Sequence, residues 1–350
     1  MLSVFLALLF LQSCIFPEPI YTRITFDDMP AWEQQNPVPV LKQMQQSIHY
    51  YERYPNYKAV VDALSTIELD SLSAKEARHF IETQFRPFSV ADPNAENMVT
   101  GYYIPTIAAS REQTTDFSVP LYKNPKKIFH KRRISRQAIM NGALRNLGLE
   151  LAWLNNDLDA YTIQMQGSAF LSFADGSQAL VHYAGSNGYA YASISEYMIQ
   201  KGYIKAAERS VETVYGFLTN HPDKQAEVLA KNPAYAYFKF KADNTVVGAQ
   251  GYALLPFRSV AVDKRFIPLG SLLFLDTAVP VLKKNGEIKR SVLGKVKHRP
   301  FQQLCIAQDQ GGAIKGPLRA DIYFGASAEA AVLAGFMTRP ARFVVLRPAL

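Results

Sequence analysis

The stretch Asp309-Gln-Gly-Gly-Ala-Ile-Lys-Gly-Pro-Leu-Arg-Ala-Asp321, followed at once by Ile322-Tyr-Phe-Gly325, places an acid on each side of a glycine-rich turn. The apolar and aromatic neighbours predict that such an acid is partly desolvated, which favours its neutral form. A carboxylic acid that is neutral near pH 7 can donate a proton, and acids of this kind cleave glycosidic bonds. The alternative is a tight turn with two surface acids, and this segment alone does not choose between the two.

Length and composition describe an ordinary globular chain. With 350 residues it exceeds one typical domain, so two domains are expected. Its hydrophobic fraction of 48% and charged fraction of 19% are sufficient for a real core. The 19 Tyr and 21 Phe outnumber the 2 Trp. Tyrosine-rich clefts suit sugars, because the ring stacks on C–H groups while the hydroxyl forms hydrogen bonds, although most of these rings are expected in the core.

The formal net charge of +8 favours a polyanionic partner, such as a nucleic acid, an anionic lipid surface or an acidic glycan. Basic residues cluster only in Lys123-Asn-Pro-Lys-Lys127 and His130-Lys-Arg-Arg133, which predicts a solvated loop or, alternatively, a phosphate-binding patch. The sequence shows no zinc-ligand spacing, no nucleotide-binding glycine loop and no RNA-binding aromatic motif. We therefore expect no metal, no cofactor and no nucleic acid partner.

The two cysteines have different predicted roles. An apolar run over residues 4–11, too short to span a bilayer, leads into Leu11-Gln-Ser-Cys14. This pattern resembles a bacterial lipoprotein signal, which implies cleavage before Cys14 and lipid anchoring through it; an apolar strand with a chance cysteine is the alternative. Isoleucine at position 15, instead of aspartate, favours the periplasmic face of the outer membrane. Cys305 lies in an apolar run and is expected in the core.

Local signals predict helices in the first third of the chain and mostly strands after it. Helices are expected at residues 39–54, after the capping box Ser73-Ala-Lys-Glu76, and at residues 193–201 and 206–218. Strands are expected at residues 98–105, 119–122, 161–166, 169–173, 179–183, 260–263, 271–275, 304–309 and 342–346. Asp175-Gly176 predicts a hairpin turn. The many short strands after residue 245 predict a small closed barrel.

Three groups of residues are candidates for chemistry. The first is the pair Asp309 and Asp321. The second is Asp263, at the end of a predicted strand, where a turn-capping acid is the alternative. The third comprises Gln166-Gly-Ser168, Asp175-Gly-Ser177 and Tyr183-Ala-Gly-Ser-Asn-Gly-Tyr189, which supply the amides, hydroxyls and rings of a sugar-binding cleft or form plain hairpin turns.

Together these segments resemble the membrane-bound lytic transglycosylase A family of bacteria. The matching motifs are Gly101-Tyr-Tyr-x-Pro105, Gln164-x-Gln-Gly-Ser168, Tyr183-Ala-Gly-x-Asn-Gly-x-Ala-Tyr191 and Asp309-x-Gly-Gly-Ala-Ile-Lys-Gly-x-x-x-x-Asp321. Asp263, Asp309 and Asp321 resemble the three aspartates for which the family's C-terminal domain is named. The four motifs occur in the family's order, so the resemblance is specific.

The resemblance implies a mainly β fold with N-terminal helices: a double-psi β-barrel domain, a smaller inserted β-barrel domain, and a glycan-binding groove between them. The implied segments are a signal peptide at 1–13, a tether at 14–34, the helical part of the barrel domain at 35–105, the inserted domain at 106–245 and the three-aspartate part of the barrel at 246–350.

The resemblance also implies roles for single residues. Asp321 is expected to be the sole catalytic acid, with Asp309 and Asp263 in support. From the residues themselves, two roles are open for Asp309: raising the pKa of Asp321 by like-charge repulsion, or holding the catalytic loop by hydrogen bonds. Lys315 and Arg319 would lower that pKa, so the sequence does not give the net shift. The residues expected to bind substrate in the groove are Tyr102, Tyr103, Gln166, Gly167, Ser168, Tyr183, Asn187, Tyr189 and Lys315.

The implied activity is cleavage of the MurNAc–GlcNAc β-1,4 bond of peptidoglycan, with exolytic action as the expected mode. Protonated Asp321 would donate to the glycosidic oxygen, the sugar's own C6 hydroxyl would attack C1, and Asp321 would then accept the hydroxyl proton, leaving a 1,6-anhydro-MurNAc end. The expected partners are glycan strands, the membrane through the lipid, and other cell-wall enzymes. The alternatives are a hydrolytic muramidase and a non-catalytic peptidoglycan-binding lipoprotein.

Overall fold

The computed structural model describes residues 18–129 and 133–349, which form two β-sheets with helices packed against them. The strands are β1 Ile20–Arg23, β2 Phe85–Ala91, β3 Met98–Tyr102, β4 Thr106–Ser110, β5 Val119–Tyr122, β6 Glu150–Leu154, β7 Ser168–Ser172, β8 Gln178–Ser186, β9 Ala236–Phe240, β10 Ser259–Val262, β11 Leu272–Pro280, β12 His298–Asp309, β13 Arg319–Tyr323, β14 Thr338–Arg339 and β15 Arg342–Pro348. The α-helices are α1 Val38–Gln46, α2 Ile48–Tyr51, α3 Lys58–Thr66, α4 Ala74–Gln84, α5 Lys126–Phe129, α6 Arg136–Met140, α7 Asp157–Gln166, α8 Ile194–Gln200, α9 Val211–Asn220, α10 Pro222–Leu229 and α11 Ala328–Phe336.

The larger sheet has nine strands in the order β1-β2-β15-β11-β12-β10-β13-β3-β14. Its β10–β12 and β13–β3 pairs are parallel and the others are antiparallel. Within the described ranges no pairing joins β14 back to β1, so strand pairing does not close the barrel that the short strands predicted. Strand β1 and the buried Trp32 also belong to the folded body, so the predicted tether at 14–34 is wrong for these residues.

Both faces of the larger sheet are buried, as β11 illustrates. Leu273 and Leu275 face a core that also contains residues of α11. Their neighbours Leu272 and Phe274 face the opposite side, where helices α1, α3 and α4 pack. This division follows from the two-residue period of a strand. Helix α4 begins as predicted, since Ser73 and Glu76 form the full capping box at its start, whereas the helix predicted at 39–54 is divided into α1 and α2.

The second sheet has six strands in the order β5-β6-β4-β7-β8-β9, all from the continuous segment 106–240 between β3 and β10. Helices α5 to α10 belong to the same segment, and α7 to α10 share an apolar core of their own. The expectation of a mainly β chain is therefore corrected to a mixed α and β fold. The predicted hairpin is confirmed, because β7 and β8 pair across a turn in which Gly176 has φ 80°.

The predicted strand at 161–166 is wrong, because these residues form the end of helix α7. The helix starts where the Asn156 side chain accepts a hydrogen bond from the Asp159 N–H at 2.9 Å, and it ends at Gly167 with φ 79°. Residues 160–164 are all buried, so the helix lacks the polar face whose period would have identified it. The predicted helix at 206–218 is also shifted, since a 3₁₀ turn precedes α9, which begins after its cap Ser210.

The predictions for the two cysteines have different outcomes. Cys305 is fully buried in the main core, as predicted, and burial raises the pKa of its thiol to about 12. Cys14 and the proposed signal peptide lie outside the described residues, as do residues 130–132 of the basic run. None of the helices that the structure describes is long and apolar enough to cross a bilayer.

Candidate active site

A transverse row of four residues crosses adjacent strands of the larger sheet. Asp309 on β12 pairs with Ala261 on β10, Ala261 pairs with Asp321 on β13, and Asp321 pairs with Thr100 on β3. Paired residues on neighbouring strands project from the same face, so both acids and the threonine share one face. Two strand spacings separate the two aspartates, which corresponds to about 10 Å between their Cα atoms.

An irregularity in strand pairing places Asp309 on this face. Cys305 and Ala307 point into the main core, and strict alternation would direct Asp309 there as well. The β10–β12 register instead shifts between Val260 and Ala261, so Gln308 has no Cα partner on β10 and Asp309 pairs with Ala261. Bulges of this kind redirect side chains beside functional sites. The Gln308 side chain accepts a hydrogen bond from Ser259 and donates one to the Ala253 carbonyl.

Asp321 is partly buried, and its carboxyl has an altered proton affinity. Burial is the main cause, and together with the charge of Asp309 it raises the pKa of Asp321 to about 6. A hydrogen bond from the Thr100 hydroxyl to Asp321 Oδ1, at 2.6 Å, and the positive charge of Arg319 act in the opposite direction. The result is a carboxylic acid that is protonated in a large fraction of molecules near pH 6.

Arg319 orients the Thr100 hydroxyl through a hydrogen bond of its own. Its side chain is almost fully buried, and it donates to the carbonyls of Met98 and Ala320 and, at 3.1 Å, to Thr100 Oγ1. Because the guanidinium cannot accept a hydrogen bond, it fixes Thr100 Oγ1 as an acceptor on that side. The threonine's only hydroxyl hydrogen is therefore available for Asp321.

Both carboxyl oxygens of Asp309 accept hydrogen bonds. Its Oδ1 accepts from the backbone N–H groups of Ala249 and Gln310 at 3.0 and 2.9 Å, and its Oδ2 accepts from the Tyr102 hydroxyl at 3.1 Å. Burial raises the pKa of Asp309, although these donors oppose the shift. Ala249 reaches the carboxyl because Gly248 has no side chain: a Cβ there would lie 2.4 Å from the Gln308 carbonyl oxygen.

Among the described residues, Asp263 forms hydrogen bonds with Arg265 and with the Gly316 loop, and none with Asp309 or Asp321. Its buried carboxylate accepts hydrogen bonds from the Arg265 guanidinium, from Nη2 to Oδ2 and from the single Nε–H shared between Oδ1 at 2.9 Å and Oδ2 at 3.2 Å, and it accepts one from the Gly316 N–H at 2.9 Å. The arginine is the main reason that the pKa of Asp263 falls to about 2. Since Gly316 belongs to the segment between Asp309 and Asp321, Asp263 fixes that segment against the end of β10.

The row faces the junction between the two sheets. Ala261 shares an apolar cluster with Tyr102 and Tyr323 of the larger sheet and with Leu180 of the smaller one. Beside this cluster, Gln166 Oε1 accepts a hydrogen bond from the Tyr103 N–H at 3.2 Å. The predicted residues Tyr102, Tyr103 and Gln166 are therefore brought together at this junction, next to the aspartate pair.

Other predicted substrate-binding residues have different surroundings. Ser168 is buried and lies 2.8 Å from His182 Nδ1, and Gly167 ends helix α7. Tyr183, Tyr189 and Lys315 are exposed. Asn187 differs from its predicted role, because its buried amide donates to the Ile134 and Pro233 carbonyls and accepts from the Tyr235 and Tyr189 N–H groups. The Asn187 side chain thus connects the segments around Ile134 and Pro233–Tyr235 to the end of β8.

The sequence analysis missed Thr100, and it missed that Arg319 donates a hydrogen bond to the Thr100 hydroxyl. Thr100 directly precedes the Gly101-Tyr-Tyr motif on a strand that was predicted, which is a weak local signal. Its pairing with Asp321 is a parallel contact across 221 positions, which no local pattern encodes. Within the described part of the chain, no three His, Cys, Asp or Glu side chains are grouped as metal ligands.

The chain is similar to known proteins over most of its length. Family models match the MltA specific insert domain at residues 98–239 and the 3D domain at residues 258–347. Membrane-bound lytic murein transglycosylase A of Escherichia coli (strain K12) is 35% identical over 261 residues, which cover 74% of this chain and 68% of that protein. The Vibrio cholerae protein of the same name is 32% identical over 246 residues, or 70% of this chain and 63% of the relative.

Solved structures agree with this assignment. The crystal structure of membrane-bound lytic murein transglycosylase from Agrobacterium tumefaciens matches with a TM-score of 0.79 and 26% identity, over 94% of this chain and 97% of the other. Escherichia coli MltA with bound chitohexaose matches with a TM-score of 0.70 and 27% identity, over 96% and 93% of the two chains. The shared domains, sequence identity and fold show that this chain belongs to the membrane-bound lytic murein transglycosylase A family.

Proposed function

We propose that this protein is a lytic transglycosylase that cleaves the MurNAc–GlcNAc β-1,4 bond of peptidoglycan. The observation that supports this most directly is the partly buried Asp321 at the junction of the two sheets, where burial raises its pKa to about 6. An acid with this pKa can protonate a leaving oxygen near neutral pH. A family member with bound chitohexaose, a chain of sugars, supports a glycan as the ligand class.

The first step is protonation of the glycosidic oxygen by Asp321. Since Thr100 donates to Oδ1, this oxygen is an acceptor, and the acid proton resides on Oδ2. Transfer of that proton breaks the glycosidic bond, and positive charge develops on the MurNAc ring. The resulting carboxylate is stabilised by the Thr100 hydroxyl and by the positive charge of Arg319, both of which favour the ionised form.

In the second step the C6 hydroxyl of MurNAc attacks C1, and ionised Asp321 accepts its proton. The product carries a 1,6-anhydro-MurNAc end, and the acid is regenerated. The attacking group is already tethered to the sugar, so proximity supplies much of the rate. Asp309 supports this single-acid scheme indirectly, because Ala249, Gln310 and Tyr102 already donate to its two oxygens. It is thus poorly suited to activate a hydrolytic water.

The same proposal covers architecture and location. The nine-stranded sheet would be the double-psi barrel of the family, the segment 106–240 its inserted domain, and the junction beside Asp321 the glycan groove. Tyr183, Tyr189 and Lys315 would extend that groove. Cys14 would carry the lipid that anchors the protein at the periplasmic face of the outer membrane, consistent with relatives that are named membrane-bound.

The decisive experiment is digestion of purified sacculi followed by mass spectrometry of the soluble products. We expect muropeptides that lack one water relative to hydrolytic products, released by the wild type and absent with Asp321→Asn. Products that retain the water would identify a muramidase. Binding to sacculi without any release would identify a non-catalytic peptidoglycan-binding protein.

A further inference from the structure

A pocket of about 800 Å³ lies toward the other end of the nine-stranded sheet from Asp321. Strands β1, β2 and β15, the end of α2 and the loop between β10 and β11 form its walls. None of the three aspartates of the candidate active site lines it. The pocket is therefore separate from the transverse row, which occupies β12, β10, β13 and β3.

The lining of this pocket is cationic and aromatic. It contains Arg23, Arg86 and Arg347 together with five tyrosines, and no carboxylate among the described residues that line it. Burial raises the pKa of the Tyr57 hydroxyl to about 12, so this group adds no negative charge to the pocket at pH 7. The three guanidinium groups thus give the pocket a positive charge, and exposed Arg23 and Arg347 present it to solvent.

The aromatic wall is held in place before any ligand binds. The hydroxyls of Tyr50 and Tyr51 donate to the carbonyls of Leu269 and Gly270, both at 3.0 Å. Gly270 has φ 87°, and a Cβ there would lie 2.8 Å from the Tyr50 ring. On the opposite wall, the Arg347 guanidinium lies over the Tyr21 ring at 4.2 Å from its centroid. A fixed wall lowers the entropic cost of binding.

We propose that this pocket is a second binding site for peptidoglycan, which takes a muropeptide unit through its sugar rings and the carboxylates of its stem peptide. Tyrosine faces stack on sugar C–H groups, and arginines pair with carboxylates through two parallel hydrogen bonds. The inference rests on the proposed function, because a polymer held at Asp321 presents further acidic units to the same molecule. Two linked sites raise the apparent affinity for a strand without new contacts at the site of cleavage.

Direct binding tests this proposal, with Asp321→Asn as the parent protein so that no ligand is consumed. The pocket variant adds Arg23→Gln and Arg347→Gln, and the matched control adds Lys284→Gln and Arg299→Gln, which remove the same charge from the exposed β11–β12 hairpin. Calorimetry with a disaccharide tetrapeptide should show two sites in the parent and the control. In the pocket variant one site should weaken at least tenfold.

Chitohexaose, which carries no carboxylate, provides the specificity control and should bind the pocket variant and the control equally. Thermal melting by circular dichroism checks that both variants are folded. The proposal is overturned if the pocket variant binds the tetrapeptide ligand as the control does. It is also overturned if the double substitution abolishes binding to anionic phospholipid vesicles while muropeptide binding is unchanged, which would make the pocket a membrane contact. Failure of the proposed function itself would appear separately, as a wild type that releases no anhydro products from sacculi.

Discussion

Thr100 and Asp321 lie opposite each other on the parallel strands β3 and β13, and the threonine hydroxyl donates to Asp321 Oδ1 at 2.6 Å. This hydrogen bond favours the ionised carboxylate, whereas burial favours the neutral acid. The pKa of about 6 is the balance of these opposing effects. The proposed mechanism has Asp321 first donate and then accept a proton, and such a balance suits both steps because neither the neutral nor the ionised form is strongly favoured.

Replacing Thr100 should change the pKa of Asp321. In Thr100→Val the donor to Oδ1 is lost, so the pKa of Asp321 should rise by about one unit, the equivalent of one net hydrogen bond. We expect the alkaline limb of the kcat profile to shift to higher pH by that amount. Thr100→Ser keeps the hydroxyl and should leave the limb in place. Equal profiles for the valine and serine variants would contradict the assigned role of the hydroxyl.

The wild-type pH profile gives an independent check. The proposed mechanism requires protonated Asp321, so kcat should fall as pH rises through about 6, the pKa of that group. Measurement of kcat from pH 4 to 8 on a soluble glycan, at constant ionic strength, locates the limb. A limb near pH 4, the ordinary value for an aspartate, would show that burial does not perturb this acid in solution.

Asp321→Asn should be more stable than the wild type at neutral pH, although inactive. The folded-state pKa of about 6 exceeds the unfolded value of 3.8, so wild-type stability falls as pH rises between these values. Above pH 6 the ionised Asp321 carboxylate lowers the free energy of unfolding by up to about 3 kcal/mol, and a neutral asparagine does not. Urea denaturation should show the gain at pH 7 and little of it at pH 4. A gain that is equal at both pH values would have another cause.

Asp263 should behave in the opposite way. Its folded-state pKa of about 2 lies below the unfolded 3.8, so its contribution is present above pH 4 and is lost as pH falls toward 2. Because Arg265 is exposed, we expect Asp263→Asn to lower the free energy of unfolding by only about 1–2 kcal/mol at pH 7. The exposed Asp116→Asn serves as a control. A loss of stability that persists undiminished at pH 2 would exclude the ion pair as its source.

Asn187 and Tyr183 should separate structural from binding roles. Asn187→Ala leaves the buried Ile134 carbonyl and Tyr235 N–H without side-chain partners and removes one of the two donors to the Pro233 carbonyl, so it should lower the free energy of unfolding by about 3 kcal/mol. Tyr183→Ala removes an exposed ring and should weaken glycan binding with little change in stability. Denaturation curves and chitohexaose titrations of both variants test this. The reverse pattern would restore Asn187 to the predicted groove.

Features that depend on neighbouring residues were predictable from the sequence. The Ser73 capping box and the Asp175-Gly176 hairpin are local, because their hydrogen bonds join residues a few positions apart. The acid pair was recognisable because Asp309 and Asp321 belong to one continuous motif. Helix α7 shows where local patterns fail: burial on nearly every side removed the polar face that distinguishes a helix from a strand.

The sequence by itself determined which carboxyl is the candidate acid, since Asp321 and its apolar neighbours Ile322, Tyr323 and Phe324 are adjacent in the chain. Only the tertiary structure decided the environment of that carboxyl. The bulge at Gln308 turned Asp309 to the face of Asp321, and the parallel pairing of β3 with β13 brought Thr100 to Asp321 and Arg319 across a long insertion. The physical reason is that register and pairing between distant strands are fixed by packing of the whole core, which no short stretch of sequence encodes.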